Sequence, residues 1–305
     1  MITRLRLPRA RPAAGTVPAR GTRSRLWERF RGNRLALIGS AIVLAEVVVA
    51  FAGPLVAPYD PIAQQTAIRL QPPSSAHWLG TDDLGRDILS RILHGAGLSL
   101  GAGVAVVLFG IVTGIPLGAI AAYFRRTDAL IMRAAEIMLA LPGILLALVL
   151  VATMGPGFIS VLLGAGLAST PSVILLTRGL VLALRENDFV IAARAVGCQE
   201  GRILIRHIMP NTTSSLVVSQ TFRIAAGILT VSSLSFLGLG AQPPSPEWGA
   251  MLSNGRDYLY RAPHVAAFPG LALTITVLAF NLVGDGLRDV LDPRFAGRGG
   301  GGRRK

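Results

Sequence analysis

Ala192–Asn211 reads AARAVGCQEGRILIRHIMPN, a polar stretch broken by glycine in a chain that is otherwise strongly apolar. Asn187 and Asp188, just ahead of it, are good helix N-caps, so a first short helix is expected from there through Val196. Gly197 falls where a left-handed residue ends such a helix. A second helix carries Ile203, Leu204, Ile205 and Ile208, with Arg202, Arg206 and His207 between them. It is expected to stop before Pro210, because the residue preceding a proline avoids helical backbone. Asn211 then caps the apolar helix that follows. The unit reads as a helix–turn–helix at a membrane surface. Ala192 and Ala193 keep its first helix slim, which suits a knob that enters a groove on another protein. A surface anchor would carry more Trp, Phe and Leu there.

Outward from this loop, hydropathy decides the class. The 305 residues have a mean hydropathy of +0.56, and 15% of them are charged. Apolar runs at 35–56, 98–122, 135–154, 158–178, 214–238 and 265–286 are each near the ~20 residues that cross a bilayer core. The chain is therefore expected to be an all-α polytopic membrane protein with six spans. Gly155-Pro156-Gly157 leaves room only for a tight turn between the third and fourth. The first run follows a basic N-terminus as a signal peptide does, but Leu35–Val56 is too long for a signal core and is read as an uncleaved anchor.

The net charge of +14 does not mark a nucleic-acid binder, because the Arg residues sit in tails and short loops between apolar runs. The N-terminal segment, Arg125-Arg126 with Arg133, the loop 179–213 and the tail after 287 are basic. The loops 57–97 and 239–264 balance Arg69, Arg86, Arg91, Arg256 and Arg261 with Asp60, Asp82, Asp83, Asp87, Glu247 and Asp257. The positive-inside rule puts the first set, and both termini, in the cytoplasm. Residues 1–25 and 291–305 are expected to be disordered basic tails. Leu26–Asn33 reads either as an amphipathic piece on anionic lipid or as a plain positive stop for the first span. Residues 26–97 thus hold a surface helix, the first span and an outward loop, and 98–290 hold a core of five spans with the polar loop at about 186–211.

Several side chains invite a role. Gly103, Gly110, Gly114 and Gly118 line one face of the second span, for a helix of another subunit or for ordinary packing within the chain. Arg223 lies inside the fifth span, to line a pathway or to snorkel to the surface. Glu46 either faces a partner or is a tolerated protonated acid. Arg133 and Glu136 are placed to pair, and Asp285, Arg288, Asp289 and Asp292 to form a salt network. In the outward loop, Trp78, Asp82, Asp83, Arg86 and Asp87 either receive a soluble protein or fold into a cap on the chain itself. His77 and His94 lack the company a metal site needs. Lone Cys198 excludes an intrachain disulfide. No G-x-x-x-x-G-K-[ST] sequence and no nucleophile–base pair is present, so no bound nucleotide, cofactor or catalytic residue is expected.

Ala192, Ala193, Gly197, Pro210 and Asn211 match the "EAA" loop of ABC-importer permeases, which this stretch resembles. HWLGTDDLGRD at 77–87, LSFLGLG at 234–240 with PEWG at 246–249, and NLVGDGLRDVLDP at 281–293 resemble the dipeptide/oligopeptide/nickel branch. Leu26–Gly39 looks like the N-terminal region of its second, C-type permease subunit. The resemblance covers roughly residues 25–295. It implies the type I importer permease fold and a pathway shared with a homologous permease. One or two cytoplasmic ATPase subunits would hold ATP and Mg, and an extracytoplasmic solute-binding protein would deliver di- or oligopeptides. Nickel or another small solute is the alternative cargo. A self-sufficient secondary transporter is the alternative class, for which inverted repeats and broken helices would speak. The resemblance makes the loop a coupling helix for the ATPase, with Glu186, Asp188, Ala192, Ala193, Gly197, Arg206 and Pro210 as its residues. Arg223 and Ser235 are candidates for the pathway, and Asp82, Asp83, Arg86 and Asp87 are candidates for contact with the binding protein. Three positions depart from the family pattern: Ile191 for the usual Glu, Gly97 for a common basic residue, and Val231 for an acidic one.

Overall fold

A computed structural model describes residues 30–291, which form an all-helical bundle. The basic tails and Trp27 lie outside the described residues, as do Asp292 and Pro293. Helix α1 is Arg34–Val56, opened by Asn33, whose Oδ1 accepts from Ala36 N–H at 3.2 Å. A capping loop then leads to α2, Ile88–Tyr123, a helix of 36 residues. At 1.5 Å per residue α2 is about 54 Å long, well beyond a ~30 Å hydrocarbon core. It therefore reaches both ends of the bundle, ten residues earlier than hydropathy placed it. Asp87 sets its start by accepting from Ser90 N–H at 2.8 Å.

The third expected span, 135–154, is not one helix. Helix α3, Arg125–Leu139, and α4, Gly143–Met154, meet at 90°. Pro142 causes the break, because it denies helical backbone to Leu141 and donates no hydrogen bond. Gly155-Pro156-Gly157 makes the tight turn into α5, Phe158–Arg185. The polar loop follows as α6, Asp188–Ala195, and α7, Glu200–Ile203. Helix α8 is Met209–Phe236, α9 is Trp248–Gly255, and α10 is His264–Leu291.

Glycines let these helices touch. A Cβ on Gly114 would sit 2.7 Å from Val173, and one on Gly118 would sit 2.6 Å from the Ile174 carbonyl, so α2 meets α5 backbone to backbone. Gly103 receives Ile228 of α8 in the same way. The glycine face of α2 is thus filled within the chain, which decides between the two readings of it. Gly39 and Gly286 bring α1 against α10. Glu46 of α1 accepts from Thr276 Oγ1 of α10 at 2.7 Å, so one of its oxygens faces a partner helix of the same chain.

Candidate coupling site

The loop 186–208 stands at the end of the bundle where α2 and α5 finish. Asn187 occupies the N-cap position of α6, but its side chain makes no capping bond. Gly197 has φ +79, the left-handed backbone required after Val196. Cys198 N–H donates to the Ala193 carbonyl at 3.1 Å and Gly197 N–H to that of Arg194 at 2.9 Å, which closes a Schellman turn. The two alanines divide the helix. Ala193 is buried with Val190, Ile203, Leu204 and Ile208 against Ala119, Ala122, Tyr123 and Val181 of α2 and α5. Ala192 is exposed, beside Ile191 at 54% and Val196 at 79% exposure. The face that turns away from the bundle is apolar and slim. Glu186, Asp188, Arg206 and Gly197 are also exposed around it. Ile191, where an acid was usual, adds apolar surface, while Glu186 and Asp188 supply charge beside it.

Pro210 does not stop a helix. A π turn over Leu204–Ile208 joins α7 to α8, with Met209 N–H reaching back to the Leu204 carbonyl. In a regular helix the proline ring would strike the carbonyl four residues earlier. The wide turn moves that carbonyl aside, so the backbone runs unbroken from the loop into the span. Asn211 caps nothing; its Nδ2 donates to the His207 carbonyl at 2.6 Å.

The four residues expected against a soluble protein come together, but beneath the surface. Arg86 Nε donates to Asp82 Oδ2 at 2.7 Å, and Asp82 Oδ1 accepts from the backbone of Leu84 and Arg86 at 2.9 Å. Asp87, buried at the start of α2, takes His77 Nδ1 at 2.9 Å. Asp82, Arg86 and Asp87 are buried and have no free face for a partner; this corrects the contact expected of them. Asp83 keeps partial exposure, and burial followed by the Asp82 charge pushes its carboxyl above the usual range. Sequence reasoning missed the centre of this cap. Arg91 is 1% exposed and donates to the Pro61 carbonyl at 2.8 Å and those of Pro244 and Ser245 at 3.4 Å. Its Nε lies 3.5 Å from Asp82, so one guanidinium ties the 57–87 loop to the 239–247 loop. The available signal was an Arg inside an otherwise apolar helix start. Fully buried Glu247 caps α9 by accepting from Gly249 N–H at 3.0 Å and Ala250 N–H at 2.8 Å. The large apolar side chains exposed on these loops are Trp78, Tyr59, Ile62, Leu259 and Tyr260.

Ser235 is 1% exposed and covered by Gly240, so it does not line an open path. Val231 is fully buried among Ala102, Val106 and Ala165. Arg223 is half-buried, and its Nε has no hydrogen-bond partner among the described residues. Arg133 and Glu136 do approach, at 3.9 Å. The salt network expected of Asp285, Arg288 and Asp289 does not form among the described residues; Asp289 instead accepts from Asn33 Nδ2 at 3.0 Å. Asp292 lies outside them.

Residues 114–297 match the family described as binding-protein-dependent transport system inner membrane component. Residues 23–73 match the N-terminal transmembrane domain of oligopeptide transport permease C. The glutathione transport system permease protein GsiD of Pectobacterium atrosepticum is 48% identical over 271 residues, covering 88% of this chain and 90% of that protein. The GsiD protein of Escherichia coli O6:K15:H31 is 48% identical over 273 residues, covering 89% and 90%. Inward-facing structures of the MetNI methionine ABC transporter share the fold, with a TM-score of 0.55 over 65% of this chain and 95% of theirs at 18% identity. A self-sufficient secondary transporter is thereby set aside, although the break between α3 and α4 is of the kind such proteins use. The chain is a multi-pass inner-membrane protein and belongs to the binding-protein-dependent permeases of ABC importers, in their peptide/nickel branch.

Proposed function

We propose that this chain is the C-type permease of an importer for short peptides, glutathione among them. Glutathione is itself a tripeptide, and the relatives that name it share nearly half the residues of this chain. The observation that carries the coupling role is the exposed apolar face of α6 at Ile191, Ala192 and Val196, held from behind by a packed cluster that includes the ends of α2 and α5. A separate ATPase subunit, holding ATP and Mg, receives this knob. The unbroken backbone through Pro210 carries its movement into α8 as a stiff lever. Arg223 lies about 21 Å along α8 from Met209 at 1.5 Å per residue, too deep to snorkel to that end. Its guanidinium, with no hydrogen-bond partner at Nε among the described residues, is offered to a substrate carboxylate on a pathway shared with the second permease. Trp78, Tyr59 and Tyr260 on the opposite loops receive the solute-binding protein. Both termini lie with the coupling loop on the cytoplasmic side, where the basic loops belong.

The test is purification of the tagged chain from its host in mild detergent, with co-eluting proteins identified and the complex placed in liposomes. A second permease, ATPase subunits and ATP-driven uptake of labelled glutathione or dipeptide support the reading. Uptake of nickel but no peptide overturns the cargo. Uptake by the chain alone, without ATP, overturns the coupling role.

A further inference from the structure

The apolar cluster under the coupling loop is non-directional, so by itself it does not fix how α6 is turned on the bundle. A polar cluster beside it does have direction. The Tyr123 hydroxyl, at the last residue of α2, donates to Glu200 Oε2 at the start of α7. Arg194 of α6 donates to the same carboxylate, from Nε to Oε1 at 3.1 Å and from Nη2 to Oε2 at 3.4 Å. Arg185, the last residue of α5, holds its guanidinium 5.7 Å from the Tyr123 ring centre, within cation–π range. It also donates to the Ala122 carbonyl at 3.2 Å. The ends of two long helices and both helices of the coupling loop therefore meet around one carboxylate.

We propose that Glu200 is a positioning residue that pins the coupling helix to α2 and α5, so that the push of an ATPase turns these helices instead of sliding the loop across them. This rests on the importer reading above. The Schellman turn at Gly197 is what brings Arg194 and Glu200 within reach of each other across the bend. Tyr123 is buried, so its hydroxyl serves the carboxylate and is not a surface for the ATPase. Charge-assisted bonds of this kind are directional and stronger than neutral ones. A docked ATPase would shield the half-exposed carboxylate from water and strengthen them further.

The experiment uses the assembled importer in nanodiscs, with both permeases, the ATPases and the binding protein, and reads peptide transported per ATP hydrolysed. Tyr123→Phe removes only the hydroxyl, and Glu200→Ala removes the hub. Tyr123→Phe is expected to lower the ratio about three- to tenfold, the effect of one lost bond, and Glu200→Ala, which also frees Arg194, at least as much, with all subunits retained. The double variant is expected to fall no further than the worse single, because both remove the same link. A Tyr123→Phe complex coupled as well as wild type overturns the proposal. So does a parallel fall of transport and hydrolysis with ATPase subunits lost, which would make Glu200 a docking contact. A wild-type complex that shows no ATP-driven uptake sinks the importer reading itself and this proposal with it.

Discussion

At the scale of single residues, the neighbours Ala192 and Ala193 have opposite surroundings and opposite expected failures. Ala192→Trp places bulk on the exposed knob, so the purified chain should melt as wild type does but fail to retain its ATPase. Ala193→Trp drives bulk into a packed cluster and should lower the melting temperature of the chain alone, since overpacking costs typically 1–3 kcal/mol. A differential scanning measurement beside a co-purification assay separates the two; equal behaviour would refute the facing assigned to α6. Gly197→Val meets no neighbour, yet its φ of +79 penalises any Cβ by roughly 1–2 kcal/mol. Membrane insertion should be normal and peptide uptake lost; normal uptake would show that the turn is not needed. Arg223→Gln should raise the KM for peptides with a free carboxylate and leave that for amidated peptides unchanged.

At the scale of elements, the cap is held by charge as well as by apolar contacts such as Leu70 and Leu79 against the cluster of Ile88 and Trp248. Arg91→Ala leaves Asp82 without one of its cations and three carbonyls without a donor. Breaking a buried pair in this way costs about 3–5 kcal/mol. Limited proteolysis should then cut the 57–87 loop in Arg91→Ala and spare it in the wild type. Asp83 gives the cap a pH dependence of known sign. Its carboxyl is pushed above the ordinary 3.8, by burial first, so the folded cap binds more protons than the unfolded chain between the two values. Stability therefore falls as pH rises through that window. Asp83→Asn should remove this component from a plot of melting temperature against pH; an unchanged slope would exclude Asp83 as its source. The π turn is the other decision at this scale. Pro210 reads as a stop because a regular helix cannot hold it, and the structure answers by widening the helix instead.

For the whole molecule, the order of packing follows the glycines. Helix α2 is in close contact with α5 and α8 where side chains are absent, and α1 closes on α10 in the same manner. That leaves the exposed face of α6, the exposed loops around Trp78 and Tyr260, and Arg223 as features without partners among the described residues. In the function proposed above, these are the places where the chain would meet its ATPase, its binding protein and its cargo. Trp78→Ala with Tyr260→Ala should weaken stimulation of ATP hydrolysis by the binding protein while basal hydrolysis persists. Equal stimulation in the double variant would move the docking surface elsewhere.

The sequence alone determined the apolar helices and the helix–turn–helix, because hydropathy over ~20 residues and a glycine at a helix end are local signals. It also carried the family, through motifs at both ends of the bundle. Only the tertiary structure decided which of two adjacent alanines is buried, and that Asp82, Arg86 and Asp87 face inward. Only it brought Arg91 to carbonyls about 30 and 150 residues away, and Tyr123 to Glu200. Those are contacts between segments distant in sequence, and a charged residue carries no local mark of whether its partner is water or a buried carbonyl.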